Sequence, residues 1–150
     1  MLFRSYTTST NGTTWTEPAI MNNTNDPYNM NGVAVNSAGR FAAVGYDSVT
    51  LYPVAATSTD GITWTTPSPL WSGQLLLAAV AVNSSGVWVA VGRDNTSPAY
   101  FTSNDGINWG SPNRFNGSAV TGIMNSVAVN SSGTWVAVGD RKSTRLNSSH

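Results

Sequence analysis

The sequence predicts an all-β protein of about three four-stranded antiparallel sheets, and three observations carry that reading. The first is composition. Only 9% of the 150 residues are charged, against about 25% in an ordinary soluble domain, and Ser, Thr, Asn and Gly fill the gap. These residue types favour turns and strands over helix interiors. The second is repetition: Val33-Ala34-Val35-Asn36 returns 47 residues later as Val80-Ala81-Val82-Asn83, and after another 47 as Val127-Ala128-Val129-Asn130. The third is punctuation. Short apolar runs end at Asn-x-x-Gly or Asp-Gly turns, and no stretch sustains a helical period.

Within one repeat, Val80 to Val82 reads as a first strand and Asn83-Ser84-Ser85-Gly86 as a turn whose glycine takes the positive φ. Val87 to Val91 is the second strand. Its two faces, Val87/Val89/Val91 and Trp88/Ala90, are both apolar, so it needs cover on both sides. Ala99 to Thr102 is the third strand, and a fourth is expected around Trp109. Phe41, Trp88 and Trp135 share one repeat position, and Gly45, Gly92 and Gly139 another.

Four-strand units at this period are the pattern of β-propeller blades. A β-solenoid fits less well, because its coils are usually shorter and lack paired hairpins. Tyr6 aligns with Tyr100 in a third strand, so the chain opens in mid-blade. It then holds two complete spans and a final hairpin. Propellers close with about four to eight blades, so residues 1–139 are expected to form an incomplete β-propeller arc whose remaining blades lie elsewhere.

Residues 140–150, Asp140 to His150, break the repeat where a third strand is due. They resemble an in-frame translation of a sequencing-library adapter, and are expected to be a disordered tail foreign to the protein; a basic functional tail is the alternative. Without them the chain carries four arginines against six carboxylates.

A second block recurs as Ser9-Thr10-Asn11-Gly12-Thr13-Thr14-Trp15, Ser58-Thr59-Asp60-Gly61-Ile62-Thr63-Trp64 and Ser103-Asn104-Asp105-Gly106-Ile107-Asn108-Trp109. It resembles the Asp-box, or BNR, repeat of sialidase-like β-propellers, Ser-x-Asp-x-Gly-x-Thr-Trp, with one residue fewer between Asp and Gly. The resemblance places the box in the turn between the third and fourth strands of a blade. Asn11, Asp60 and Asp105 would accept backbone N–H bonds there, Gly12, Gly61 and Gly106 supply the unusual φ, and Trp15, Trp64 and Trp109 pack into the blade. Asn11 keeps these bonds without a charge, which favours a folding role. A calcium site is the chemical alternative, but one carboxylate per turn falls short of the six or more oxygens that ion takes. No metal and no cofactor are expected.

Alternation along such a sheet puts the box turns on one rim, and the two-to-three loops and inter-blade connections on the other. In sialidase-like propellers the ligand binds on that second rim. Here it is made by 17–32, 66–78 and 110–126 between blades, and by 46–49 and 93–98 within them. Trp71 occupies no repeated position, so it is a candidate stacking platform for a sugar or peptide, or a plug beneath Pro67 and Pro69. Tyr28, Tyr46 and Phe115 carry the same two readings, and Arg93 opens a rim loop.

Catalysis is poorly supplied. The resemblance implies that a sialidase would need three arginines and a Tyr/Glu pair, and this chain has one glutamate, Glu17. A two-carboxylate glycosidase would need facing acids, for which Asp26, Asp47 and Asp94 are the rim candidates. His150 is the only histidine, which excludes a Ser-His-Asp set. Zero net charge argues against nucleic acid or an anionic membrane as partner, and no apolar run is long enough for a membrane span. Neither the absence of cysteine nor Met1-Leu2-Phe3-Arg4, which lacks the pattern of a signal peptide, decides a compartment. The expected function is a non-catalytic module that binds a glycan or protein ligand, within a larger secreted or surface protein. The alternative is a piece of a sialidase-like glycoside hydrolase whose catalytic residues lie outside this segment; a purely structural or assembly role is a third.

Overall fold

The computed structural model describes residues 4–21, 26–115 and 120–142. They form an all-β chain of antiparallel sheets that follow one another in sequence order. β1 (Ser5–Tyr6) and β2 (Ala19–Ile20) make a two-stranded pair. β3 (Tyr28–Val35), β4 (Phe41–Asp47), β5 (Pro53–Ser58) and β6 (Ser68–Pro69) form a four-stranded meander. β7 (Leu75–Val82), β8 (Trp88–Asp94), β9 (Pro98–Ser103) and β10 (Asn113–Arg114) repeat it. β11 (Gly122–Val129) and β12 (Trp135–Arg141) make a final two-stranded sheet. Among the described residues no helix is long and apolar enough to cross a membrane.

Each first hairpin is closed by an asparagine. The Asn36 side chain accepts from the Ala38 and Arg40 amides, and its own N–H reaches the Arg40 carbonyl. Asn83 accepts in the same way from Val87. Beyond the turn the second strand is apolar on both faces, and Ala42, Val44, Trp88, Ala90 and Val91 are all buried.

Successive sheets stack. β7 packs on β3, β4 and β5 of the preceding sheet, and β11 packs on β7, β8 and β9. The first strands approach so closely that a Cβ on Gly32 would lie 2.8 Å from the Ala79 Cα. Hydrogen bonds cross the same junctions: Leu75 N–H donates to Leu51 O at 2.9 Å, and Gly122 N–H to Thr96 O at 2.8 Å. The Asn31 side-chain amide donates to Leu77 O at 2.8 Å.

Four expectations are corrected. The fourth strand does not lie around Trp109 but at Asn113–Arg114, as at Ala19–Ile20 and Ser68–Pro69. Trp109 makes one isolated bridge to Ser103, and Gly110 N–H still bonds to Thr102 O, so the residues around the tryptophan close the turn before pairing resumes. The first strand begins at Leu75 rather than Val80, because a bulge between Leu77 and Ala79 breaks the alternation that reveals a strand. The second strand runs two residues past Gly45 and Gly92, which places Tyr46 and Arg93 on strands and not in loops; Tyr28 likewise opens β3. Finally, Asp140 and Arg141 belong to β12, paired with Ile123 and Gly122, so strand structure continues past Gly139. The rest of the expected tail, 143–150, lies outside the described residues.

Candidate functional site

The box turn is the most completely wired local structure. In the second copy the Ser58 hydroxyl accepts from the Gly61 amide at 2.9 Å and donates to Asp60 Oδ1 at 2.9 Å. That oxygen also accepts from Ile62 N–H at 2.8 Å and Thr63 N–H at 2.7 Å. Trp64 Nε1 then donates back to Gly61 O at 3.2 Å. The Ser103–Asp105 turn repeats the serine and carboxylate bonds, and Ser9–Asn11 makes the whole set with an amide oxygen in place of the carboxylate. With one carboxylate or amide oxygen of each box accepting two backbone N–H bonds, the box holds its own turn together. Among the described residues no three histidine, aspartate or glutamate side chains gather as a metal site would require.

Backbone N–H groups of Ile62 and Thr63, with the Ser58 hydroxyl, lower the Asp60 pKa to about 2. Asp105 is held well below the usual carboxylate range by the Asn108 and Ile107 amides and the Asn108 side chain. Since the folded-state pKa values are depressed, their contribution is complete above the unfolded value near 4 and is lost as pH falls through the folded values. Asn11 titrates nothing. We therefore expect Asp60→Asn with Asp105→Asn to flatten the fall in stability between about pH 4 and about pH 2, measured as urea midpoints across that range. An unchanged acid limb would contradict it.

The box tryptophans differ. Trp64 lies edge-on to Phe41, ring centroids 6.3 Å apart, and Trp109 is partly buried against the core. Trp15 is 57% exposed, contrary to the expectation that all three pack into a blade, because β1 has no second strand beside it to bring the matching aromatic.

At the other end of the sheets lie the two-to-three loops and the sheet-to-sheet junctions, where the candidate ligand residues were expected. Tyr28 opens β3 beneath the Arg4 guanidinium, 5.2 Å from the ring centre. Burial, then the Asp26 and Asp47 charges, raise its pKa against the pull of Arg4. Tyr46 pairs with Asn29 and Pro53. Phe115 packs at a tilt against Tyr100, ring centroids 4.9 Å apart. Trp71 follows β6, is 41% exposed, and lays its indole over Gly73, where any Cβ would collide with the ring. The indole is thus partly exposed and partly covered by the Gly73 backbone.

Arg93, exposed near the end of β8, borders a small cavity of about 130 Å³ with Leu51, Gln74, Leu76 and Asn95. The cavity sits where the 48–52 loop of one sheet meets the first strand of the next. Leu51 is held there at φ 61, an uncommon conformation for a bulky non-glycine residue, with its carbonyl committed to Leu75. The five candidates are thus spread over two sheets and the junction between them, and of the five this cavity takes in Arg93. Sequence reasoning missed Leu51 and Gln74, and no residue-type signal points to a leucine at positive φ.

The rim acids are already engaged. Asp47 Oδ1 accepts from the Val49 and Thr50 amides, and Asp94 Oδ1 from Thr96 and Ser97. Asp94 Oδ2 also pairs with Arg114 Nε at 2.6 Å. Burial works to raise the Asp94 pKa, but the Arg114 and loop hydrogen bonds outweigh it and leave it lowered. Asp26 pairs with the buried Arg4 at 3.7 Å.

No family model matches this chain, and no relative is found among curated proteins. The likeness to Asp-box repeats therefore rests on the residues of the box.

Proposed function

We propose that this chain is an arc of a β-propeller and acts as a non-catalytic binding module for a glycan or protein ligand, within a larger secreted or surface protein. One observation carries the reading: the three box turns and the three first-hairpin turns repeat closely, whereas the opposite end of the sheets changes from copy to copy. Its strand starts read Tyr28-Asn29-Met30, Leu75-Leu76-Leu77 and Gly122-Ile123-Met124. A scaffold that holds its turns constant and varies one rim supports recognition at that rim. Trp71 supplies a partly exposed indole and Arg93 a charged donor beside a cavity, both suited to a sugar or a peptide.

The hydrolase reading gains no support from the described residues, since Asp47 and Asp94 hold turns and Asp26 and Asp94 are ion-paired. The test is a glycan-array and pull-down screen followed by titration of the hit. Trp71→Ala and Arg93→Ala are expected to weaken binding at least tenfold, equivalent to about 1.4 kcal/mol, with folding intact. Binding that ignores both variants but responds to Trp15→Ala would reject the rim. Hydrolysis abolished by Asp47→Asn or Asp94→Asn would reject the non-catalytic assignment.

A further inference from the structure

The variable rim departs furthest from repetition at one place, and that place also carries backbone strain. Between β4 and β5 the chain runs through five residues, Ser48 to Tyr52, whereas between β8 and β9 it runs through three, Asn95 to Ser97. Both loops reach the next sheet by the same bond, made two residues before the proline that opens the third strand. Leu51 O accepts from Leu75 N–H, and Thr96 O from Gly122 N–H. Only the longer loop does so with a left-handed residue. Leu51, at φ 61, is the one non-glycine at positive φ among the described residues, a conformation costly for a bulky side chain and held only where the surroundings fix it. The cavity of about 130 Å³ lies under this longer loop, between the two complete sheets.

Its walls are of two kinds. Leu51 and Leu76 are apolar, and Gln74, Arg93 and Asn95 are polar. Among the described residues no hydrogen bond or ion pair engages the side chain of Gln74, Arg93 or Asn95. The acid bordering the cavity, Asp94, is committed elsewhere: its Oδ2 lies 2.6 Å from Arg114 Nε, and its Oδ1 accepts from the Thr96 and Ser97 amides. Two arginines thus stand against one carboxylate. The Arg93 guanidinium is the one left without an acceptor, and a guanidinium holds a carboxylate through two parallel N–H bonds. Size narrows the guest further. A volume of about 130 Å³ is the liquid share of about four water molecules. Pockets that enclose a whole small ligand begin at about 300 Å³, so this one admits a single group at the end of a longer chain. A sugar acid would press its ring hydroxyls on Leu51 and Leu76, where they find no partner. A carboxylate carried on methylenes matches both kinds of wall.

We propose that this cavity receives a glutamate side chain of a protein partner, its carboxylate on Arg93 with Gln74 and Asn95 as further donors, and its methylenes against Leu51 and Leu76. The proposal narrows the rim's ligand from a glycan or protein to an acidic segment of a protein, and it rests on the rim being the binding side. Trp71 stands three positions before Gln74 on the same connection, its indole partly exposed, and is placed to meet residues that flank the glutamate.

The probes are three C-terminally amidated peptide libraries, random except for a central Glu, Gln or Lys, and a set of carboxylated and sulfated glycans. Each is bound to the full chain and to its Arg93→Gln, Arg93→Glu and Trp71→Ala variants. The expected result is capture of the Glu library at least tenfold above the Gln library. Arg93→Gln erases that preference, and Arg93→Glu replaces it with a preference for the Lys library, which a merely structural role for Arg93 would not produce. Equal capture of the Glu and Gln libraries, still reduced by Trp71→Ala, overturns the glutamate pocket and leaves the rim reading standing. Capture of the acidic glycans above the Glu library, lost in Arg93→Gln, overturns the protein partner and again leaves the rim. Capture that ignores the Arg93 and Trp71 variants alike, or no capture of any probe, overturns both.

Discussion

Replacing Gly92 with alanine is expected to abolish the folded state or lower its stability by at least about 4 kcal/mol, a loss seen only when a specific structural demand is broken. The demand is a backbone approach. The bulge between Leu77 and Ala79 turns the Leu76 carbonyl toward Gly92, and a Cβ there would overlap that oxygen. Gly45 meets Asn29 O and Gly139 meets Ile123 O in the same way, so this is a repeated joint of the fold. Neither partner can yield, since both are ladder backbone of paired strands, and Leu77 and Val91 beside them are fully buried. Gly86→Ala is the control. Gly86 sits at φ +84 in open space, so the substitution should cost only the left-handed strain of about 1–2 kcal/mol. Chemical unfolding of both variants checks the contrast, and equal midpoints would refute it.

Trp88→Ala should cost about 3–5 kcal/mol, the usual range for a fully buried large aromatic. Trp88 is completely buried, and its ring lies against Gly106 at the heart of the second complete sheet. The informative companion is Trp88→Phe. Phe41 fills the same place in the preceding sheet, and Trp88 Nε1 is buried without a hydrogen-bond partner. Phenylalanine removes that unpaired donor, which offsets part of the lost volume, so the expected cost is about 1.5 kcal/mol or less. A Phe variant as unstable as the Ala variant would show that the indole makes a contact not accounted for by its volume.

These two residues illustrate how much was legible in advance. Trp88 was readable as core, because it alternates with apolar neighbours on a strand apolar on both faces. Gly92 was visible only as a repeated glycine with no stated reason. Its reason is a carbonyl sixteen positions earlier in the chain, brought close by a bulge that itself erases the alternation pattern. That bulge explains why Leu75 to Ala78 read as a connection, and its counterpart between Met30 and Gly32 why Tyr28 seemed to stand on a loop. At the rim, Asp94 looked available because sequence does not reveal that its second oxygen meets Arg114, twenty residues away.

By itself the sequence determined the period of 47, the all-β class, the glycine turns of the first hairpins and the acceptor and glycine of the box turn. These depend on interactions within a few residues, for which residue type and spacing suffice. Only the tertiary structure decided where the fourth strands pair, which glycines lie against a neighbouring backbone carbonyl, and how Leu51 and Arg93 come to border one cavity. Those features depend on which strands lie side by side, a relation set by burial of apolar faces between sheets and carried by no local signal.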